Sequence, residues 1–149
     1  MTTIAPADEA CEALVTRINA GGAAYTLDVP AEYSYQEVDC LEEITGLRVD
    51  VVPISEKVLN ERLDGNNWSS HQIRILIRKQ VADVTPTTVK PLTLLRRQIF
   101  ERLDNWDSTD KRVKVWEASI EDDESPSKPD LRDKQLYRAS ILLRVEVAG

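Results

Sequence analysis

The sequence predicts an α+β fold: a mixed or mostly antiparallel sheet with two principal helices packed on one face. Three observations predict it. Two segments place apolar residues at three- and four-residue spacing, as a helix with one buried stripe requires. Several others alternate apolar and polar residues with period two, as half-buried strands do. The order of these segments lacks the strict βαβ repetition and glycine-rich phosphate loops of a doubly wound nucleotide fold.

The first element is a helix from about Pro6 to Ala20, whose stripe is Cys11, Leu14, Val15 and Ile18. Asn19, Gly21 and Gly22 supply its stop. A short extended segment runs from Tyr25 to Val29 and ends at Pro30, and residues 31–46 are acidic and irregular in pattern. Leu47, Val49 and Val51 alternate with Arg48, Asp50 and Val52, a strand expected to terminate near Pro53. Residues 54–70 show no sustained period, and Asp64, Gly65, Asn66 and Asn67 carry turn chemistry, so a loop or the end of a hairpin is expected there. The next strand holds Ile73, Ile75 and Ile77 on one face against Arg74, Leu76 and Arg78 on a wetter one. After a polar crossover containing Pro86 and Pro91, Leu92, Leu95, Ile99 and Leu103 trace the second helix. Val113 and Val115 open a strand that precedes an acidic, proline-containing loop at 121–133. The final strand sets Ala139, Ile141, Leu143, Val145 and Val147 on one side. Burying both helical stripes with the inward strand residues produces the predicted layers.

The 149 residues suit a single domain, 1–149, with flexible-loop candidates at 54–70 and 121–133. Hydrophobic residues at 42% and charged residues at 30% fit a chain that folds around a core rather than a disordered one. A net charge of −7 disfavours general attraction to nucleic acid or anionic lipid. The excess sits in residues 1–50, where ten acids face only Arg17 and Arg48. Met1 to Asp8 has neither the basic start nor the apolar run of a secretory leader, and no segment reads as a membrane span, so synthesis in the cytoplasm is expected. Cys11 and Cys40 are too few and too far apart for a disulfide scaffold or zinc site; Cys11 reads as a buried thiol, and acids surround Cys40.

No catalytic constellation stands out. His71 is the sole imidazole, and its neighbours Ser69 and Ser70 lack the oxyanion stabiliser and orienting third group that nucleophilic catalysis needs. Glu121, Asp122, Asp123 and Glu124 form an acidic cluster without the glycine and alternating spacing of a calcium loop, so no metal and no cofactor are expected. Arg74, Lys79, Lys90, Arg96, Arg97 and Arg102 make the middle moderately basic, but no nucleic-acid motif accompanies them. Trp68, Trp106 and Trp116 adjoin loops or strand ends, where an amphipathic ring anchors either a core or a subunit contact.

The A-C-E-A-L-V-T-R-I-N helix, the L-R-V-D-V-V-P-I and Q-I-R-I-L-I-R-K strands, the P-L-T-L-L-R-R-Q-I-F-E-R-L helix and the S-I-L-L-R-V-E-V strand span most of the chain. Together they resemble the tail-terminator or tail-completion proteins of tailed bacteriophages, the gpU-like minor tail group. The resemblance implies a structural, non-enzymatic virion protein at the tail-neck region, assembled in the host cytoplasm. It implies a ring, commonly a homohexamer, that ends tail-tube polymerisation and joins the neck or connector. The loop Glu56 to Ser70 and the segment Glu121 to Asp133 are then the candidate contacts with other subunits, the tail-tube protein and the neck protein. Trp68, His71, Arg74, Trp106, Trp116, Glu121, Asp122, Asp123 and Glu124 are the candidate interface residues. The alternatives are a phage neck or head-completion protein, a small hydrolase using His71 and acidic residues, and a non-viral adaptor.

Overall fold

The computed structural model describes residues 4–35, 46–59, 68–81, 85–121 and 136–148. Helix α1 (Pro6–Asn19) begins on a proline whose fixed φ suits the first helical position; Asp8 and Glu9 in its first turn and Arg17 in its last complement the helix dipole. Ala10, Cys11, Leu14 and Ile18 are its buried face. A 3₁₀ turn at Gly22–Ala24 follows, with Gly22 at φ +46°. A Cβ on Gly21 would run into the ring of Tyr25, whose hydroxyl donates to the Ile18 carbonyl at 2.9 Å.

The first strand differs from expectation. Tyr25 to Val29 is not a strand; Tyr25, Leu27 and Val29 pack irregularly against the core, and β1 (Ala31–Tyr33) lies beyond Pro30. The Asn19 side chain sets its position, accepting from the Ala31 amide at 2.9 Å and donating to the Ala31 carbonyl at 3.1 Å, as a neighbouring strand would.

Strand β2 (Arg48–Leu59) also departs from the reading, because it passes through Pro53 instead of stopping there. The Val51 carbonyl accepts from the Ser34 amide, so Val51 turns its backbone groups towards β1; by alternation Pro53 does the same, away from β3. The missing N–H therefore leaves no gap in the β2–β3 ladder, and a bulge between Pro53 and Ser55 absorbs the irregularity. Of the loop expected at 54–70, residues 54–59 and 68–70 belong to strands, and 60–67 lie outside the described residues.

Strand β3 (Trp68–Gln80), helix α2 (Pro86–Leu103), β4 (Val113–Ile120) and β5 (Leu136–Ala148) complete the fold. Helix α2 starts earlier than its apolar stripe does. Pro86 occupies a first-turn position that needs no N–H, while Pro91 forgoes one intrahelical bond without ending the helix. The five strands are ordered β1-β2-β3-β5-β4, with β1 parallel to β2 and every other pair antiparallel. This is the expected mixed, mostly antiparallel sheet with both helices on one face.

The period-two alternation decides which residues meet the helices. Val49, Val51, Ile73, Ile75, Ile77 and the inward residues of β5 form one buried cluster with Leu14, Ile18, Leu95 and Ile99. Cys11 belongs to it, and burial pushes its thiol up to about 12, so it stays protonated and unreactive. Cys40 lies outside the described residues. The opposite sheet face is not uniformly wet, because Asp50, Leu76 and Arg78 are buried there.

Candidate assembly surfaces

His71 and Ser69 are two residues apart on β3 and so project from the same sheet face. Their Nε2 and Oγ lie 2.7 Å apart, and the two residues are 1% and 6% exposed. Glu56 Oε1 stands 3.9 Å from the same Nε2. A catalytic relay uses both ring nitrogens, one facing the nucleophile and the other the orienting carboxylate. Here both partners approach a single nitrogen. His71 was an expected interface residue, but the alternation that aims Ile73 and Ile75 at the core also turns it inward, away from any surface of the single chain.

Burial holds the His71 pKa below its ordinary value, outweighing the opposing charge of Glu56. On acidification the unfolded chain takes up this proton first, near pH 6.5, so native stability falls from there down to the folded-state pKa. The denaturation midpoint should drop between about pH 7.5 and 5.5, and His71→Gln should remove part of the drop. An unchanged pH slope in that variant would show that the imidazole does not sense burial.

Two other candidates are brought together. Arg74 on β3 and Glu121 just after β4 meet in a fork, at 2.8 and 3.2 Å, on the face opposite the helices. Burial alone would raise the Glu121 carboxyl, but hydrogen bonds from Arg74 and Ser140 and the charges of Arg74 and Arg138 carry it below the usual range. Asp122, Asp123 and Glu124 lie outside the described residues. Among the described residues, no group of three or more His, Cys, Asp or Glu side chains is placed to hold a metal ion. No described helix is long and apolar enough to cross a membrane.

The tryptophans take different places. Trp68 begins β3, half-buried opposite Ala148. Trp116 sits where the β4 register slips between Val115 and Glu117; it is 38% exposed, with Lys114 Nζ 4.2 Å from its ring centroid. The first half of the outer edge of β4 is covered by residues 106–108, through Ser108 N to Val113 O and Val115 N to Trp106 O, each 2.8 Å. Among the described residues no strand covers the remainder, from Trp116 to Ile120.

Trp106 packs partly against the core and lies beside Arg17, whose guanidinium carbon is 5.5 Å from the ring centroid. Arg17 donates to the Arg102 carbonyl at 3.4 Å and Arg102 to the Arg17 carbonyl at 2.8 Å, so each arginine satisfies the end of the other's helix. Burial and the neighbouring charge of Arg102 lower the Arg17 pKa. Beside the pair opens a cleft of about 560 Å³ lined by Thr16, Ser108 and Asp110 as well.

One ionic cluster escaped the sequence reading. Asp50, 1% exposed, accepts from Arg78 Nη2 at 2.7 Å, Arg48 Nε at 2.9 Å and Ser34 Oγ at 3.1 Å. Asp50 and Arg78 each interrupt an apolar strand, which is a visible signal. That they meet depends on a register that places Asp50 against Leu76 and Arg48 against Arg78.

No protein-family model and no curated protein matches the chain. Among solved structures, the chain is similar to one from the virion of a native gene transfer agent (GTA) particle, over 99% of this chain and 100% of that one. The TM-score is 0.59 and the sequence identity 17%. At that identity the likeness establishes the fold, shared from end to end between the two chains.

Proposed function

We propose that this chain is a structural virion protein that closes into a ring at the head-proximal end of a phage tail, stops tube polymerisation there and offers the neck its attachment surface. The observation that carries the reading is the end-to-end fold likeness to a chain of a gene transfer agent virion. The five segments that resemble tail-completion proteins point the same way. Such a role needs surfaces rather than a catalytic centre. A ring forms when two different sides of each copy pair with its neighbours, leaving an axial face for the last tube subunits. The partly uncovered edge of β4, with Trp116 at its bulge, and the Arg74–Glu121 pair supply polar and aromatic groups for those contacts.

Light scattering on the purified chain, alone and with tail-tube protein, tests the ring. The expected result in at least one condition is a particle of about six times the 16.8 kDa chain mass. A monomer in both conditions that binds no tube protein would sink the proposal. Stable binding to connector protein alone would place the chain in the neck instead.

A further inference from the structure

The sheet has two outer edges, and among the described residues each is only partly covered. On the β2 side, β1 takes Val49 to Val51, and no described strand pairs with the outer side beyond them. Ile54, Ser55, Glu56 and Lys57 are exposed in succession there. Successive strand residues point to opposite faces, so solvent reaches this stretch from both. On β4 the uncovered stretch is Trp116 to Ile120, with Trp116, Glu117 and Ser119 exposed. A bulge in each stretch turns out a large apolar side chain, Ile54 on β2 and Trp116 on β4. An open edge is a template for another strand.

The outward backbone groups of the two stretches match. Ile73 stands opposite Pro53, whose groups point away from β3, so those of Gln72 face β2 and those of its partner Ser55 face β3. Those of Glu56 therefore point outward. On β4 the Glu121 amide donates to the Ser140 carbonyl of β5, so by the same alternation Ile120 and Ala118 point their groups outward. Three antiparallel pairings separate β2 from β4, so the two edges run in opposite directions. A second copy that continues the sheet with its helices on the same side thus lays its β2 antiparallel to β4.

Setting Ala118 against Glu56 joins outward groups to outward groups and keeps the whole β4 stretch on uncovered β2. Ile120 then meets Ile54, Ser119 meets Ser55, and Glu117 meets Lys57 as an opposite-charge pair. The two nearest registers that keep the outward groups matched set Glu117 against Ser55 or Leu59 instead. Within one copy Ala118 lies across the sheet from Pro53, and Val115 from Glu56. The pairing therefore displaces the neighbour by two residues, about 7 Å along the strands, a stagger that closed sheets take up as strand tilt.

We infer that residues 116–120 of β4 pair with residues 54–58 of β2 in a second copy, so that one sheet runs from subunit to subunit. Each copy carries one edge of each kind, which is the heterologous contact a ring requires. The inference rests on the proposed function in taking the partner to be another copy, and it names the two surfaces that close the ring.

The test is disulfide trapping in a Cys40→Ser background, where the remaining Cys11 is buried. In the inferred register the groups of Ser55 and Ser119 face away from each other, which makes them a closely spaced antiparallel pair with Cα atoms about 4.5 Å apart, within reach of a disulfide. A chain carrying both Ser55→Cys and Ser119→Cys, oxidised alone and with tail-tube protein, is expected to give a ladder of covalent multiples on a denaturing gel. A mixture of the two single variants should stop at dimers, and neither single variant should cross-link by itself. Ala118→Pro removes an N–H that points away from β5, so it is expected to fold and to associate about tenfold or more weakly. The trapping result stands even if that variant misfolds. No ladder in either condition, dimers from Ser119→Cys alone through a β4 edge paired with itself, or undiminished association of folded Ala118→Pro would overturn the inference. If the wild-type chain forms rings and caps tubes while no ladder appears, this inference fails alone; a ladder from a chain that caps no tubes fails only the proposed function.

Discussion

Replacing Asp50 with alanine is expected to destabilise the chain by about 3–5 kcal/mol, because a buried ion pair broken on one side leaves the other charge without its partner. Arg78 is 1% exposed and would lose an acid at 2.7 Å. For a chain of this length the melting temperature should fall by on the order of 10 °C or more. Arg48→Ala is the comparison: its side chain is 25% exposed, so water replaces part of what is lost, and the cost should be on the order of 1 kcal/mol. Urea denaturation of the three proteins measures both values. Equal, small losses would mean that the Asp50–Arg78 contact contributes no more than a surface pair.

Ile75→Ala is expected to cost about 2–5 kcal/mol. Ile75 is fully buried in the central strand, opposite Val51 on β2 and Ile141 on β5, within the cluster that also holds Leu14 and Leu95. Removing its outer carbons leaves a cavity walled by strands on both sides and helices above, where neighbours have little room to collapse. Ile75→Val should cost only about 0.5–1.5 kcal/mol. Ile54→Ala, at a 42% exposed position beside the β2 bulge, should stay within about 0.5 kcal/mol of wild type. A loss at Ile54 as large as that at Ile75 would contradict the assignment of the core to the helix-covered face.

The elements legible in the sequence are those whose local period and burial agree. Leu14 and Ile18, Leu95 and Ile99, Ile73 to Ile77 and Ile141 to Val147 each repeat at the spacing of their element and are buried as that spacing demands. What could not be read depends on neighbours distant in the chain. Pro53 looks like a strand end until the outward aim of its backbone is known. Strand β1 has only three residues and rests on the Asn19 side chain, which carries no periodic signal.

The candidate surface divides in the same way. Trp116 is exposed because a bulge shifts it, and Arg74 meets Glu121 across 47 positions of sequence. His71 is a candidate interface residue, whereas its place in the alternation of β3 buries it in the single chain. Arg17 and Arg102 each stood in the last turn of an expected helix. Their reciprocal bracing appears only once the two helix ends converge.

The central claim, that the chain ends tail-tube growth, is tested most directly by polymerising purified tail-tube protein with and without a small molar fraction of this chain and measuring tube lengths by electron microscopy. Tail termination predicts shorter tubes, each carrying one ring-shaped density at a single end, with length falling as the fraction rises. Tubes of unchanged length without a terminal ring, in the presence of folded chain, would contradict it.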